Sequence, residues 1–221
     1  MSLLLAGCSD ETSPGKYHET LCRTPFVNED FLTSALQEWE ERVPGGGSFA
    51  LELRGQGADR DGWLTITAQA GDLSEGDRSA YGLVHVGPSE DFHLRAQLTD
   101  APAGSGQLCG ILAQASNDTL VAVGLRGDGG GAAAELLGFS EGAPAFSAQG
   151  GAVETGSVLL ELIRDRDEWI ARVAGAEVGR GTLALDPYAF DVGIYVGSTG
   201  SAATLRVEWI DACPYYREVA P

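Results

Sequence analysis

Apolar and polar residues alternate with a period of two along most of the chain from Phe26 onward. Such alternation predicts β-strands with one buried and one exposed face. Breaks rich in Gly, Asp, Asn and Pro separate the alternating segments. The predicted strands occupy residues 49–54, 63–69, 80–86, 91–98, 107–114, 119–126, 133–139, 158–164, 168–174, 177–185, 190–197 and 203–211. Only segment 29–41 has a pattern that resembles a helix, and it could hold a single helical turn.

The same alternation assigns side chains to faces of the predicted strands. In 91–98, His93 and Arg95 lie opposite an apolar row, and Tyr195 does so in 190–197. In 203–211, Arg206 and Glu208 oppose the apolar residues. Many short strands of this kind predict an all-β, antiparallel sandwich or barrel.

Composition supports a folded domain and excludes some partners. Hydrophobic residues make up 43% of the 221 residues, and Gly, at 31, is abundant enough for many tight turns. The formal net charge of −18 repels phosphate backbones and anionic lipid surfaces. We therefore expect no nucleic-acid partner.

The first residues carry a local motif. Leu5-Ala6-Gly7-Cys8 resembles the lipobox of bacterial lipoproteins, in which the matching cysteine becomes the acylated N-terminus. The resemblance implies lipidation of Cys8, export, and anchoring in the envelope, with the following Ser9 favouring the outer membrane; the alternative is an ordinary cysteine after a Leu-rich start. We interpret 1–8 as a residual signal segment, 9–21 as a flexible tether, 22–214 as one domain and 215–221 as a tail.

Several short apolar motifs between residues 24 and 212 occur in the same order as the strand motifs of a known superfamily. They are Phe31, Leu36 and Trp39; Trp63-Leu64-Thr65-Ile66; Asp91-Phe92-His93-Leu94-Arg95; Cys109-Gly110-Ile111-Leu112 with Asn117-Asp118; Val192-Gly193-Ile194-Tyr195-Val196; and Leu205-Arg206-Val207-Glu208-Trp209. This order resembles the concanavalin A-like lectin/glucanase superfamily, which includes laminin-G-type modules. The resemblance implies a two-sheet antiparallel jelly-roll sandwich, an architecture that hosts hydrolases, lectins and adhesion modules alike.

The resemblance also implies a disulfide. In such jelly rolls the terminal strands run antiparallel side by side, which would bring Cys22 close to Cys213. Export to an oxidising compartment permits the bond, and the alternative is two free thiols. Cys109, inside an apolar strand, is expected to be a buried packing residue rather than a nucleophile.

Several kinds of catalytic chemistry have no sequence signal. A laminarinase-type glucanase needs carboxylates about two and four positions apart on one strand, and no Glu-x-Asp-x-x-Glu occurs. The nearest cluster, residues 38–41, is expected to be a solvated edge. Asp59-Arg60-Asp61-Gly62 slightly resembles a calcium loop, yet a plain turn is favoured, so we expect no cofactor and leave structural calcium unsupported.

These observations favour a non-catalytic carbohydrate-binding or surface-recognition module rather than an enzyme. The candidate ligand-binding residues are His93, Arg95, Tyr195, Arg206 and Glu208, with Trp169 and Tyr81 as stacking surfaces if exposed. The expected partner is a polysaccharide or an envelope protein, and the membrane is reached only through the lipid anchor. A structural envelope lipoprotein is the alternative, and a divergent glycoside hydrolase a third.

Overall fold

A computed structural model describes residues 27–29, 31, 36, 38–42, 49–54, 62–87, 90–101, 104–154, 156–185 and 191–215, with backbone alone for 28, 29 and 49–54. The described residues form antiparallel strands and no helix. The strands are β1 (Val27–Glu29), β2 (Trp39–Arg42), β3 (Phe49–Arg54), β4 (Trp63–Ala68), β5 (Tyr81–Val86), β6 (Phe92–Leu98), β7 (Gln107–Ser116), β8 (Thr119–Gly127), β9 (Ala132–Ser140), β10 (Ala143–Val153), β11 (Val158–Asp165), β12 (Glu168–Val173), β13 (Ala176–Thr182), β14 (Asp191–Ser198) and β15 (Ala203–Pro214).

The strands build two sheets. Sheet A has the order β13-β12-β11-β6-β15-β4-β3, and β1 also pairs with β15. Sheet B has the order β10-β9-β8-β7-β14-β5-β2. The arrangement is a two-sheet antiparallel jelly-roll sandwich, and the predicted fold class is therefore confirmed.

The core lies between the two sheets, where alternate residues of facing strands meet. Leu64 and Ile66 of β4 and Leu94 of β6 are wholly buried from the sheet A side, and Ile111 and Val123 from the sheet B side. Leu64, Ile66 and Leu94 stand at the apolar positions of the alternation, because a period of two puts every second side chain on the same face.

Each of the twelve predicted strands overlaps an observed strand, and three strands among the described residues were not predicted. Strands β1 and β2 include the two ends of segment 29–41, so these two ends are extended and the prediction of a helix is wrong for them. Most of that segment's interior lies outside the described residues. Strand β10 was missed because its Ala, Gly, Pro and Ser residues give no strong alternation, and two bulges interrupt its register with β9.

The terminal strands do lie side by side, as the resemblance implies. Val27 of β1 is opposite Ala212 of β15 in antiparallel register. Cys213 is the next residue and is buried, but Cys22 lies outside the described residues, as does Cys8. The Cys22–Cys213 disulfide and the lipidation of Cys8 therefore stay predictions, as do the tether at 9–21 and the tail at 215–221, of which only Tyr215 is described.

Candidate functional site

The five candidate ligand-binding residues do not form one surface. His93 and Arg95 lie in β6, and Arg206 and Glu208 lie in β15, so these four belong to adjacent strands of sheet A. Tyr195 lies in β14 of sheet B and is 0% exposed. The grouping expected from the sequence is corrected on this point, because alternation assigns a residue to a face of its strand but does not tell which sheet the strand joins.

Arg95 is held in a buried ion pair. Its Nε and Nη2 donate hydrogen bonds of 3.0 and 2.5 Å to the two carboxylate oxygens of Asp211 on the neighbouring β15. Both side chains are buried, and the guanidinium lies 5.9 Å from the ring centroid of Trp209. Because both carboxylate oxygens and two of the guanidinium nitrogens are engaged inside the protein, the pair orders sheet A rather than offering itself to a ligand.

His93 is also engaged within sheet A. Its Nε2 lies 2.9 Å from Oε1 of Glu161 on β11. The hydrogen bond from His93 holds the pKa of Glu161 below its usual range, against the opposing effect of burial. Both side chains are largely covered, so this contact contributes mainly to the packing of β6 on β11.

Arg206 lies on a more exposed part of sheet A. Its guanidinium is 5.1 Å from the ring centroid of Trp63 and 2.9 Å from Asp100, with side-chain exposures of 42% for Arg206 and 67% for Asp100. Thr65 is opposite Arg206 in the β4–β15 register, and the next pair on the same face, Thr67 and Thr204, has its hydroxyls 3.0 Å apart. We name this surface the Trp63–Arg206 strip; its members are Trp63, Thr65, Thr67, Asp100, Thr204 and Arg206.

Sequence reasoning found Arg206 but missed the other members of the strip. The alternation in segment 63–69 carried the signal, because Trp63, Thr65 and Thr67 stand opposite the apolar Leu64 and Ile66. The pairing of β4 with β15 was not readable from that pattern. Glu208, the remaining candidate, is the extra residue at the bulge between Val207 and Trp209 and is half-buried.

The central part of the outer face of sheet B is covered by a segment of chain that we name the strap, residues 71–80. Leu73 and Ala80 of the strap are wholly buried against an apolar floor. The floor consists of Val84, Leu108, Leu112, Leu120, Ala122, Phe139 and Tyr195. Burial of this area from water stabilises the closed arrangement.

Two arginines, the buried Arg42 and the partly buried Arg126, bind the strap to the sheet. Arg42 of β2 donates hydrogen bonds of 2.6 Å to the Ala80 carbonyl and 2.6 Å to Gln114, and burial lowers its pKa to about 10. Arg126 of β8 donates to the Leu73 carbonyl at 2.9 Å and to Asp72 at 2.8 Å. Because these donors hold both ends of the strap, a polymer cannot reach the apolar floor while they stay bonded.

A cross-strand row under the strap contains Tyr195, Gly110, Gly124 and Glu135, in that order across β14, β7, β8 and β9. The two glycines let the tyrosine ring lie across the sheet: a Cβ on Gly124 would collide with the Tyr195 hydroxyl and the Cys109 carbonyl. Within the described residues the buried hydroxyl of Tyr195 has no hydrogen-bond partner.

Glu135 ends this row and shares an arginine with the strap. Nε of Arg126 donates a 2.9 Å hydrogen bond to Glu135, while Nη1 of the same guanidinium binds Asp72. Burial raises the pKa of Glu135 in spite of the arginine. The two carboxylates are thus bridged by a cation, whereas a glycosidase leaves the space between its carboxylates to substrate.

Other residues singled out in the sequence are structural. Cys109 is wholly buried, as expected, and burial raises the pKa of its thiol, which makes it a poor nucleophile. Trp169 is wholly buried and donates from its indole nitrogen to the Leu183 carbonyl at 2.9 Å, and Tyr81 is buried too. Neither offers an exposed stacking surface. Residues 59–61 lie outside the part of the chain that the structure describes. Within the described part, no group of three or more His, Cys, Asp or Glu residues could hold a metal ion.

Comparison with known proteins supports the fold. No family model and no curated protein matches the sequence. The GH43 BlXynB protein from Bacillus licheniformis matches with a TM-score of 0.65 and 18% identity over 85% of this chain and 39% of that one. A prokaryotic β-1,3-1,4-glucanase (lichenase) from a mouse hindgut metagenome gives 0.62 and 14%, over 86% of this chain and 99% of that one. LamAcat from Zobellia galactanivorans gives 0.59 and 11%, over 86% and 97%.

At these identities the likeness is one of fold alone. The chain spans only about two fifths of the length of the GH43 structures, because each match covers 39–41% of that structure's chain. Among the described residues no helix is both long and apolar enough to cross a bilayer. The chain thus has a jelly-roll sandwich of the concanavalin A-like type, the architecture of glucanases among other proteins.

Proposed function

We propose that the domain is a non-catalytic carbohydrate-binding module that contacts polysaccharide through the Trp63–Arg206 strip. The observation that carries the proposal is the grouping in the strip of an indole, a guanidinium, a carboxylate and threonine hydroxyls, with Arg206 and Asp100 substantially exposed. Sugars are bound by aromatic faces together with a few fixed polar groups. The strip supplies both kinds of contact on a rigid sheet.

The state of the buried carboxylates supports a non-catalytic role. Asp211 is paired with Arg95, and Glu135 shares Arg126 with Asp72. In that second pair the carboxylates of Asp72 and Glu135 are largely buried, with side-chain exposures of 14% and 7%, and both are occupied by the Arg126 guanidinium. Retaining and inverting glycosidases both need two accessible carboxyl groups on either side of the glycosidic bond.

Because of the lipobox resemblance, we further propose that the module belongs to an exported lipoprotein. It would be anchored through Cys8 in the bacterial envelope, with the outer membrane favoured. The acidic surface, with a net charge of −18, is compatible with an uncharged glycan and repels anionic lipid. A lipid anchor would hold the binding strip near the cell surface, where a polysaccharide is met.

Affinity electrophoresis in gels that contain mixed-linkage β-1,3-1,4-glucan, xyloglucan or laminarin tests the proposal. We expect retardation of the chain by at least one of these glucans, and a loss of about tenfold in affinity for Arg206→Ala, equivalent to about 1.4 kcal/mol. Arg180→Ala is the matched control, because Arg180 is an exposed, ion-paired arginine near the far edge of sheet A.

Two results would contradict the proposal. One is release of reducing sugar from any of the three glucans, which would make the domain a hydrolase. The other is an absence of retardation in all of them together with recovery of an envelope protein by crosslinking from Arg206→Cys, which would assign the strip to a protein partner.

A further inference from the structure

The Trp63–Arg206 strip is long in the direction of its strands. Trp63, Thr65 and Thr67 occupy every second position of β4, and Leu64 and Ile66 between them are wholly buried on the other face. At about 3.4 Å per residue, the distance along the strand from Trp63 to Thr67 is about 14 Å. The strip is therefore longer than one sugar ring and has room for consecutive rings of one chain.

The strip is an open surface in the interior of sheet A. Strand β4 lies between β3 and β15, and β15 lies between β4 and β6. Five of the six members of the strip are strand residues on one face of the sheet, and only Asp100 lies in a turn, just after β6. Recognition of a chain end requires a concave pocket around the terminal ring, whereas a sheet face contacts a chain from one side.

The two ends of the strip offer different groups to a ligand. Toward the Trp63 end, the Arg206 guanidinium lies over the indole and pairs with Asp100, so that the two charges of the strip balance. At the other end, the Thr67 and Thr204 hydroxyls lie 3.0 Å apart. One of these hydroxyls donates to the other, so the pair keeps one O–H donor and several lone pairs for a ligand.

Building on the proposed function, we infer that the strip binds an internal stretch of an uncharged polysaccharide that lies along β4 and β15. One sugar contacts Trp63 and Arg206, and a sugar further along the same chain binds the hydroxyls of Thr67 and Thr204. The polysaccharide continues beyond both ends of the strip. Thr204 then makes the affinity depend on chain length, because only an oligosaccharide that covers the strip contacts Arg206 and Thr204 together.

Isothermal titration calorimetry of the full chain with oligosaccharides, from disaccharide to hexasaccharide, tests the inference. The oligosaccharides are prepared from whichever of mixed-linkage β-1,3-1,4-glucan, xyloglucan or laminarin retards the chain in gels. We expect the affinity to rise with chain length until the strip is covered. The hexasaccharide should keep its affinity when its reducing-end sugar is reduced to the alditol, because the strip does not recognise the chain end.

Thr204→Val should lower the affinity for the hexasaccharide about fivefold, because the variant loses a hydroxyl of ordinary hydrogen-bonding strength. Thr204 is exposed, and valine keeps the β-branched shape that suits a strand. The matched control is Thr182→Val, which changes an exposed threonine at the far edge of sheet A and should leave the affinity unchanged. Circular dichroism checks that both variants fold.

Failure of the inference differs from failure of the proposed function. Absence of binding to all three glucans would remove the proposed function itself. Equal affinity for disaccharide and hexasaccharide would overturn the inference and leave a carbohydrate-binding module. The same holds for loss of binding when the end sugar is reduced, and for an unchanged hexasaccharide affinity in Thr204→Val.

Discussion

Replacing Tyr195 with Phe should stabilise the protein, although Tyr195 is one of its largest fully buried side chains. The ring fills the space above Gly110 and Gly124, and phenylalanine fills the same space. The one group lost is a buried hydroxyl that has no hydrogen-bond partner among the described residues. Removing an oxygen that has no protein partner removes a desolvation cost and no hydrogen bond.

The expected gain is about 1–3 kcal/mol, the cost of leaving a buried polar group unpaired. For a domain of this size, 1 kcal/mol shifts Tm by about 2–4 °C, so Tyr195→Phe should melt several degrees higher than the parent. Urea unfolding at neutral pH measures the free energy directly, and the slope against urea should stay unchanged because both proteins expose the same surface.

Tyr195→Leu is the control for the ring itself. It removes the hydroxyl as well, but it also leaves a cavity over the two glycines, and it should cost about 2–5 kcal/mol. A Tyr195→Phe protein that is less stable than the parent would refute the reasoning, because the hydroxyl would then have to be bonded in the native state, with Glu135 as the first candidate partner.

Three further predictions concern the strap, the buried carboxylate and the cysteines. Arg42→Lys should speed amide hydrogen exchange across residues 71–80 and cost about 2–3 kcal/mol, because an ammonium cannot bind both Gln114 and the strap carbonyl in the guanidinium geometry. Glu135 has a raised folded pKa, so unfolding free energy should fall as pH rises from about 4.5 through that pKa, and Glu135→Gln should remove this component of the slope in urea titrations. Peptide mapping without reductant should recover Cys22 linked to Cys213, and alkylation of both cysteines would contradict the disulfide.

The strand positions were predictable because alternation is a local property of the sequence. Segment 49–54 was predicted and found with the same bounds, and the strands at 63–68 and 92–98 differ by a residue at one end. Strand β10 shows the limit of this approach: its long stretch of Ala, Gly and Ser is held in the sheet by β9 and β13, and tertiary contacts of that kind leave no periodic signal.

The candidate site was predicted less well because it depends on which strands become neighbours. Arg95 and Asp211 are 116 residues apart in sequence, and their pairing follows from the β6–β15 register. The sequence therefore suggested that a polar residue on an outer face is free to bind a ligand, whereas in the structure Arg95 and His93 contact Asp211 and Glu161 within sheet A. Arg206 also has an acidic partner, but it stays 42% exposed because that partner, Asp100, lies at the surface and is 67% exposed.

One sequence signal explains why the two outer faces differ. Strands β4 and β6 alternate, whereas segments 108–113 and 120–125 are almost continuously apolar, as in strands that are buried on both faces. A strand of that kind in a two-layer sandwich requires a third layer over its outer face, and the strap provides it through Leu73 and Ala80. The central strands of sheet B are thus committed to packing on both sides. Polar alternation, and with it an exposed surface rich in hydrogen-bonding groups, is left to sheet A, and that is where the search for a ligand should begin.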